Sequence, residues 1–172
     1  MEYSKLISGR ESIRNYDPDR PVEKSKLRRI LESGRLAPSA ANRQPWKFIL
    51  VSSSGILEKV RACYHREWFK AAPHILIVAG NRNESWVRRY DGYNSLETDL
   101  AIAMDHMILA AENEGVGTCW IAAFDPVVLK DALDLEEHEK VYAITPLGYP
   151  HKGFTKRAEK VRKELKDIVI YL

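Results

Sequence analysis

Apolar and polar residues follow two periods along this 172-residue chain. Where apolar positions recur every three or four residues, the pattern predicts helices over residues 4–9, 23–36, 55–64, 96–114, 126–132 and 158–166. Where apolar residues run together between turn formers, it predicts strands over 46–52, 74–81, 118–123 and 141–149, with a further strand at 167–172. Local punctuation supports some of these ends. Asp125 before Pro126 has the form of an N-cap followed by proline at the first helical position, and Gly115 reads as a helix C-cap. No repeat, low-complexity tract or linker interrupts the pattern, which predicts a single domain over residues 1–172.

The segment 96–114 departs from an ordinary amphipathic helix. Leu100, Ala101, Ile102, Ala103, Met104, Met107, Ile108, Leu109, Ala110 and Ala111 cover more than one face. A helix apolar nearly all round is buried nearly all round. A subunit interface is the expected second cover, with a central core helix in a monomer as the alternative. The chain's end points the same way. Ile168, Val169, Ile170 and Leu172 are apolar, and leaving each large apolar side chain in water forgoes roughly 1.5–3 kcal/mol. Terminal segments also fray unless something ties them down.

Composition narrows the class. Apolar residues make up 45% and charged residues 30%, as in a soluble globular protein. No apolar run approaches the ~18 residues of a membrane helix, and residues 1–5 carry no apolar signal region. Cys63 and Cys119 are too few for a disulfide framework, so free thiols and a cytoplasmic location are expected. The net charge of +3 is modest, and only residues 152–166 are locally basic. That run holds one aromatic, Phe154. It therefore reads as a solvated face or the anion site of a small cofactor before it reads as a nucleic-acid surface.

Two segments carry candidate chemistry. Residues 37–46 read Ala-Pro-Ser-Ala-Ala-Asn-Arg-Gln-Pro-Trp. Pro38 and Pro45 stiffen the loop around Ser39, Asn42 and Gln44. A hydroxyl and two amides on a stiff loop suit the edge of a polar ring, or simply close their own turn. Residues 10–16 hold Arg10, Ser12 and Arg14 at alternate positions. An extended backbone puts these on one side, where two guanidiniums and a hydroxyl form a phosphate clamp; the plainer reading is a solvated charged face.

These segments together resemble the FMN-dependent nitroreductase family. Arg10, Ser12 and Arg14 match its Arg-x-Ser-x-Arg. Pro38, Ser39, Asn42, Gln44, Pro45 and Trp46 match its Pro-Ser-x-x-Asn-x-Gln-Pro-Trp without a gap. Gly115, Gly117 and Trp120 look like its Gly-x-Gly-x-x-Trp, and Gly148-Tyr149-Pro150 with Lys160, Arg162 and Lys163 look like its close. The likeness runs from about Tyr3 to Leu172. It implies an α+β fold: a three-layer sandwich with a central mixed, mostly antiparallel sheet flanked by helices. It also implies a homodimer whose C-terminal segments cross to extend the partner's sheet, with FMN at the interface. By position, the family's flavin contacts fall on Arg10, Ser12, Arg14, Pro38, Ser39, Ala40, Asn42, Gln44, Ala122, Ala123, Lys160 and Arg162. Small side chains at Ala122 and Ala123 would let the backbone approach a flat ring. The implied reaction is ping-pong, with NAD(P)H as reductant and a nitroaromatic, quinone or similar small acceptor as oxidant. After Pro150 the family often has a proline, whereas His151-Lys152-Gly153-Phe154-Thr155 stands here. Either Lys156 and Arg157 or Lys160 and Arg162 then answer the phosphate.

Gly115-Val116-Gly117 is no dinucleotide fingerprint, because the third glycine position is Trp120 and a helix precedes it. His65, His74, His106, His138 and His151 have no metal-ligand spacing, and no nucleophile elbow occurs. That pattern fits an enzyme whose cofactor supplies the chemistry. Trp68, Phe69, Trp86, Tyr90 and Tyr93 lie in segments expected to be irregular, where they either stack a flat substrate or pack outside the core. Alternatives are a flavin-binding module without turnover, a family relative that removes halogens or fragments flavin, and a nucleic-acid-binding tail.

Overall fold

Residues 2–157 and 159–172 are described by a computed structural model. Among the described residues, six helices and four strands follow one another as α1 (Tyr3–Gly9), α2 (Lys24–Arg35), β1 (Trp46–Val51), α3 (Ser54–Arg61), α4 (Glu67–Lys70), β2 (His74–Asn81), α5 (Leu96–Asn113), β3 (Gly117–Thr118), α6 (Pro126–Leu133) and β4 (Glu139–Gly148). Short 3₁₀ turns occupy Ala40–Asn42 and Leu165–Asp167.

The strands form one sheet in the order β1-β2-β4-β3, each pair antiparallel. A parallel bridge from Ser12 to Thr118 makes the sheet mixed. β2 is buried from His74 to Gly80, which explains its unbroken apolar run. Its alternate side chains face opposite layers. Leu76 and Val78 join Leu27 and Ile30 of α2 and Leu100, Met104 and Met107 of α5. Ile75 and Ile77 join Leu57 and Val60 of α3, Phe69 of α4 and Leu129 of α6. Helices, sheet and helices thus form the three expected layers. Burial of each large apolar β2 side chain stabilises by roughly 1.5–3 kcal/mol.

Several ends follow the sequence. Asp125 Oδ1 accepts from the Val127 and Val128 amides at 2.9 and 3.2 Å, capping α6 ahead of Pro126. Gly115 has φ +71°. Its amide donates to Glu112 O and the Val116 amide to Ala111 O, which closes α5 in a Schellman turn.

Other segments differ from the prediction. Only Gly117–Thr118 and a bridge from Ile121 to Ile144 form within 118–123. The Cys119 amide donates to the Thr145 hydroxyl instead of to a ladder carbonyl, so the strand breaks there. Residues 67–70 form α4 rather than irregular chain, held by Phe69 at 0% exposure. The predicted helix at 158–166 includes Ala158, which lies outside the described residues. Residues 159–164 are not helical, and Leu165–Asp167 is a single 3₁₀ turn. Val161 is 94% exposed, and a short basic segment without an apolar partner gains too little to offset helix nucleation. Residues 167–172 form no strand within one chain, where Ile170 is 84% exposed. α5 buries eight residues inside one chain, while Ala101, Ile102 and Leu109 stay half-buried.

Candidate functional site

A cleft of about 310 Å³ opens between the segment after α1 and the C-terminal chain. Arg10, Ser12, Arg14, Arg157, Lys160 and Arg162 line it, together with Glu11, Glu159 and Val161. Five cations against two acids leave an excess of three positive charges. The clamp is extended because α1 ends at Arg10 (φ −63°, ψ 130°) and the Ile13 amide then donates to Thr118 O at 2.8 Å. That pairing buries Ile13 and leaves Ser12 and Arg14 on the open side.

The C-terminal chain is tied across the cleft by its own donors. Lys160 Nζ donates to Ser8 O and Arg10 O. Lys156 Nζ donates to Gly9 O at 3.1 Å and pairs with Glu112 on α5. The Arg157 amide donates to Glu11 Oε2 at 3.3 Å. Lys160, Arg162 and Arg157 therefore line the cleft, and Lys156 serves α5. Burial and the neighbouring Arg10 hold the Lys160 ammonium below its usual range. The cleft carries positive charge that an anion would neutralise. Glu11 Oε1 is buried without a hydrogen-bond partner among the described residues.

Beneath the clamp lies Cys119, 3% exposed. Burial pushes its thiol up, against the pull of Arg14, Ser12 and Arg10. Tyr16 beside it is raised well above its usual value, first by burial and then by Cys119. Cys63 is buried elsewhere and pushed up to about 12 by burial, with Asp125 adding to the effect. Both thiols are free and protonated near neutral pH.

The second predicted segment takes a strained course. Ala41, Asn42 and Gln44 have φ of 51°, 54° and 50°. A left-handed non-glycine residue costs on the order of 1–3 kcal/mol, and such strain persists only where surroundings over-determine it. Ser39 Oγ accepts from the Gln44 amide at 3.0 Å, and Gln44 Nε2 donates to Asn42 Oδ1 at 3.1 Å. The Ala40 amide donates to Asp99 Oδ1 at 2.9 Å, and Pro45 O accepts from the Asn81 amide at 2.9 Å. Asn42 and Gln44 remain exposed, as does Pro38.

The two segments do not meet within one chain. The loop is anchored at Asp99, in the first turn of α5, whereas the cleft is anchored near Glu112 in its last turn. That separation is about 20 Å at 1.5 Å per residue. Ala122 and Ala123 are exposed beyond Ile121 and line neither. Among the aromatics, Trp68 and Phe69 pack against the outer core. Trp86, Tyr90 and Tyr93 belong to a hairpin before α5, closed by the Val87–Asn94 bridge. Glu11 and Glu159 in the cleft wall and Asp99 under the loop are neighbours of the candidate segments that sequence reasoning did not single out. Asp99 left one signal, an acid on an otherwise apolar helix face.

Fold and cleft together define a three-layer α+β protein with a cationic cleft between its two chain ends. The Nitroreductase family profile matches residues 7–63 and 57–149, and the chain belongs to that family. A protein of Archaeoglobus fulgidus, provisionally named NADH dehydrogenase/NAD(P)H nitroreductase, is 30% identical over 154 residues, covering 87% of this chain and 86% of the relative. A solved nitroreductase family protein from Clostridium difficile superposes with a TM-score of 0.91 at 32% identity, covering 99% of this chain and 98% of the other. A structure from Desulfovibrio desulfuricans, solved in complex with FMN, shares the fold with a TM-score of 0.82 at 24% identity, covering 98% and 95%. Among the described residues no helix is long and apolar enough to cross a membrane, and no cluster of acids, histidines and cysteines suits a metal ion.

Proposed function

We propose that this chain is an FMN-dependent NAD(P)H oxidoreductase that works as a homodimer on small acceptors. The observation that carries the reading is the cationic cleft. Four guanidiniums, an ammonium and the Ser12 hydroxyl around about 310 Å³ suit a phosphate group. The family supports the choice of FMN over another phosphorylated ligand.

Arg10, Arg14, Lys160 and Arg162, with Ser12, hold the phosphate. Ser39, Asn42 and Gln44 address the ribityl chain and ring edge, with Pro38 and Ala40 shaping the loop. The backbone at Ala122 and Ala123 approaches the ring. When bound, FMN supplies hydride acceptance from NADH or NADPH and, in a second half-reaction, electrons for a nitroaromatic, quinone or similar acceptor. The protein's part is orientation, electrostatics and exclusion of water.

The homodimer reading rests on the separation of the two segments. A two-fold pairing brings the loop of one copy to the cleft of the other. Tyr3 and Ile7 of α1 are exposed at 68% and 48%, and α1 buries none of its residues. β1 is an edge strand whose outer side pairs with no other strand among the described residues, and it can take the partner's apolar 168–172 segment.

Anaerobic titration of the FMN-loaded protein with NADH and NADPH tests the reading. Bleaching of flavin absorbance, and its return with an added quinone or nitroaromatic, is expected. Protein that retains no FMN, or FMN that stays oxidised with both reductants, would overturn it.

A further inference from the structure

Asp99 is a buried carboxylate in an apolar layer, 2% exposed beside Leu96, Leu100 and Ala103. Such burial is costly unless the charge is hydrogen-bonded. Its two oxygens divide between two separate segments. Oδ1 accepts from the Ala40 amide at 2.9 Å, at the start of the strained loop. Oδ2 accepts from the Ser95 hydroxyl at 2.8 Å. Ser95 Oγ in turn accepts from the Trp86 amide at 3.2 Å. Trp86 begins the hairpin whose tip holds Tyr90, 98% exposed.

We propose that Asp99 is a positioning residue that fixes the 40–44 loop and, through Ser95, couples it to the 86–94 hairpin. A ligand that orders either segment then orders the other, and the coupling is reciprocal. The proposal rests on the flavin reading only for the identity of the loop's ligand; the hydrogen-bonded relay is independent of it.

The geometry explains why a carboxylate serves here. Two donors reach separate oxygens, and each needs an acceptor. A carboxylate offers two, whereas a carboxamide offers one acceptor and one donor. The Ala40 bond also pins the backbone immediately before Ala41 and Asn42, the first two left-handed residues. The hairpin tip is stiffened separately by the Arg88–Asp91 ion pair and by Arg88 over the Tyr93 ring at 4.9 Å. Its base is therefore the place where motion passes to the loop.

Hydrogen exchange read by mass spectrometry tests this on the whole protein, wild type and Ser95→Ala, each with and without FMN. Ser95→Ala removes the side-chain arm of the relay, while the backbone bond from the Ser95 amide to Trp86 O at 2.9 Å and the Ala40–Asp99 bond stay available. In the absence of FMN, exchange should rise about tenfold in 86–94 and measurably in 40–44, with β2 unchanged. FMN should slow both segments in the wild type but only 40–44 in Ser95→Ala. Asp99→Asn should loosen both segments, because one of its two acceptors is lost. Wild-type exchange in 40–44 of FMN-free Ser95→Ala would overturn the coupling. So would equal protection of 86–94 by FMN in both proteins, or retained FMN that slows neither segment. If dialysis shows that wild type retains no FMN, the flavin reading falls, and the FMN-free comparison still decides the coupling.

Discussion

The two halves of the candidate site are built in opposite ways. The 40–44 loop is local, strained and braced: three left-handed residues are held between prolines and the buried Asp99. The cleft is assembled from the two ends of the chain, and its C-terminal wall rests on hydrogen bonds from Lys156 and Lys160 rather than on buried apolar surface. Elements with few apolar contacts open most readily. The loop is therefore braced within one chain, while the cleft's C-terminal wall has most to gain from a ligand's charge and, in the proposed homodimer, from the partner subunit.

Removing residues 167–172 should break the weaker half most completely. A shift from dimer to monomer by light scattering and loss of bound FMN are expected. The 40–44 loop should keep its wild-type exchange rate in the FMN-free protein. A truncated protein that stays dimeric and yellow would remove the C-terminal segment from the site.

Arg10→Ala should weaken FMN binding roughly ten- to a hundredfold, the loss of one charge-assisted pair. Its melting temperature without FMN should change little, because Arg10 faces an open cleft. Isothermal titration with FMN checks this. Unchanged affinity would place the phosphate elsewhere.

The core beneath both halves can be probed through His74. Its Nε2 accepts from the Val22 amide at 3.1 Å, and Nδ1 meets Ser52 Oγ at 2.7 Å. Burial lowers its pKa from 6.5. Above that pH the ring is neutral in both folded and unfolded chains. As pH falls below 6.5 the unfolded chain takes up a proton first, so stability declines until the folded ring titrates. Melting should fall more steeply between pH 7 and 5 in the wild type than in His74→Gln. Equal slopes would show that His74 does not carry the effect.

The smallest expected effect belongs to Asn42→Ala. A ring-edge donor lost from a braced loop should shift the flavin's reduction potential. The FMN-free melting point should fall by only a few degrees, because alanine at φ 54° and the lost bond from Gln44 cost about 1 kcal/mol. Large destabilisation with an unshifted potential would make Asn42 a turn residue only.

Much of the architecture was legible because local chemistry and global burial agree. β2 reads as a strand and is buried on both faces; Asp125 and Gly115 read as caps and act as caps. The cleft's Arg10, Ser12 and Arg14 follow from alternate spacing once the segment is extended. Legibility failed where tertiary partners decide. Four residues at 67–70 are too short for a helical period, and Phe69 anchors them only against the core. Cys119 leaves the ladder for a side-chain hydroxyl that no local pattern announces. Residues 159–172 have helix- and strand-forming composition but no surface within one chain to fold upon. Asp99 serves two segments, one 59 residues away at Ala40, and its spacing carries no motif.

Sedimentation of the FMN-loaded protein, followed at the flavin's absorbance, tests the central claim that one site needs two chains. Flavin should travel with a species of twice the chain's mass, at one FMN per chain. Flavin that sediments with a single chain would contradict it.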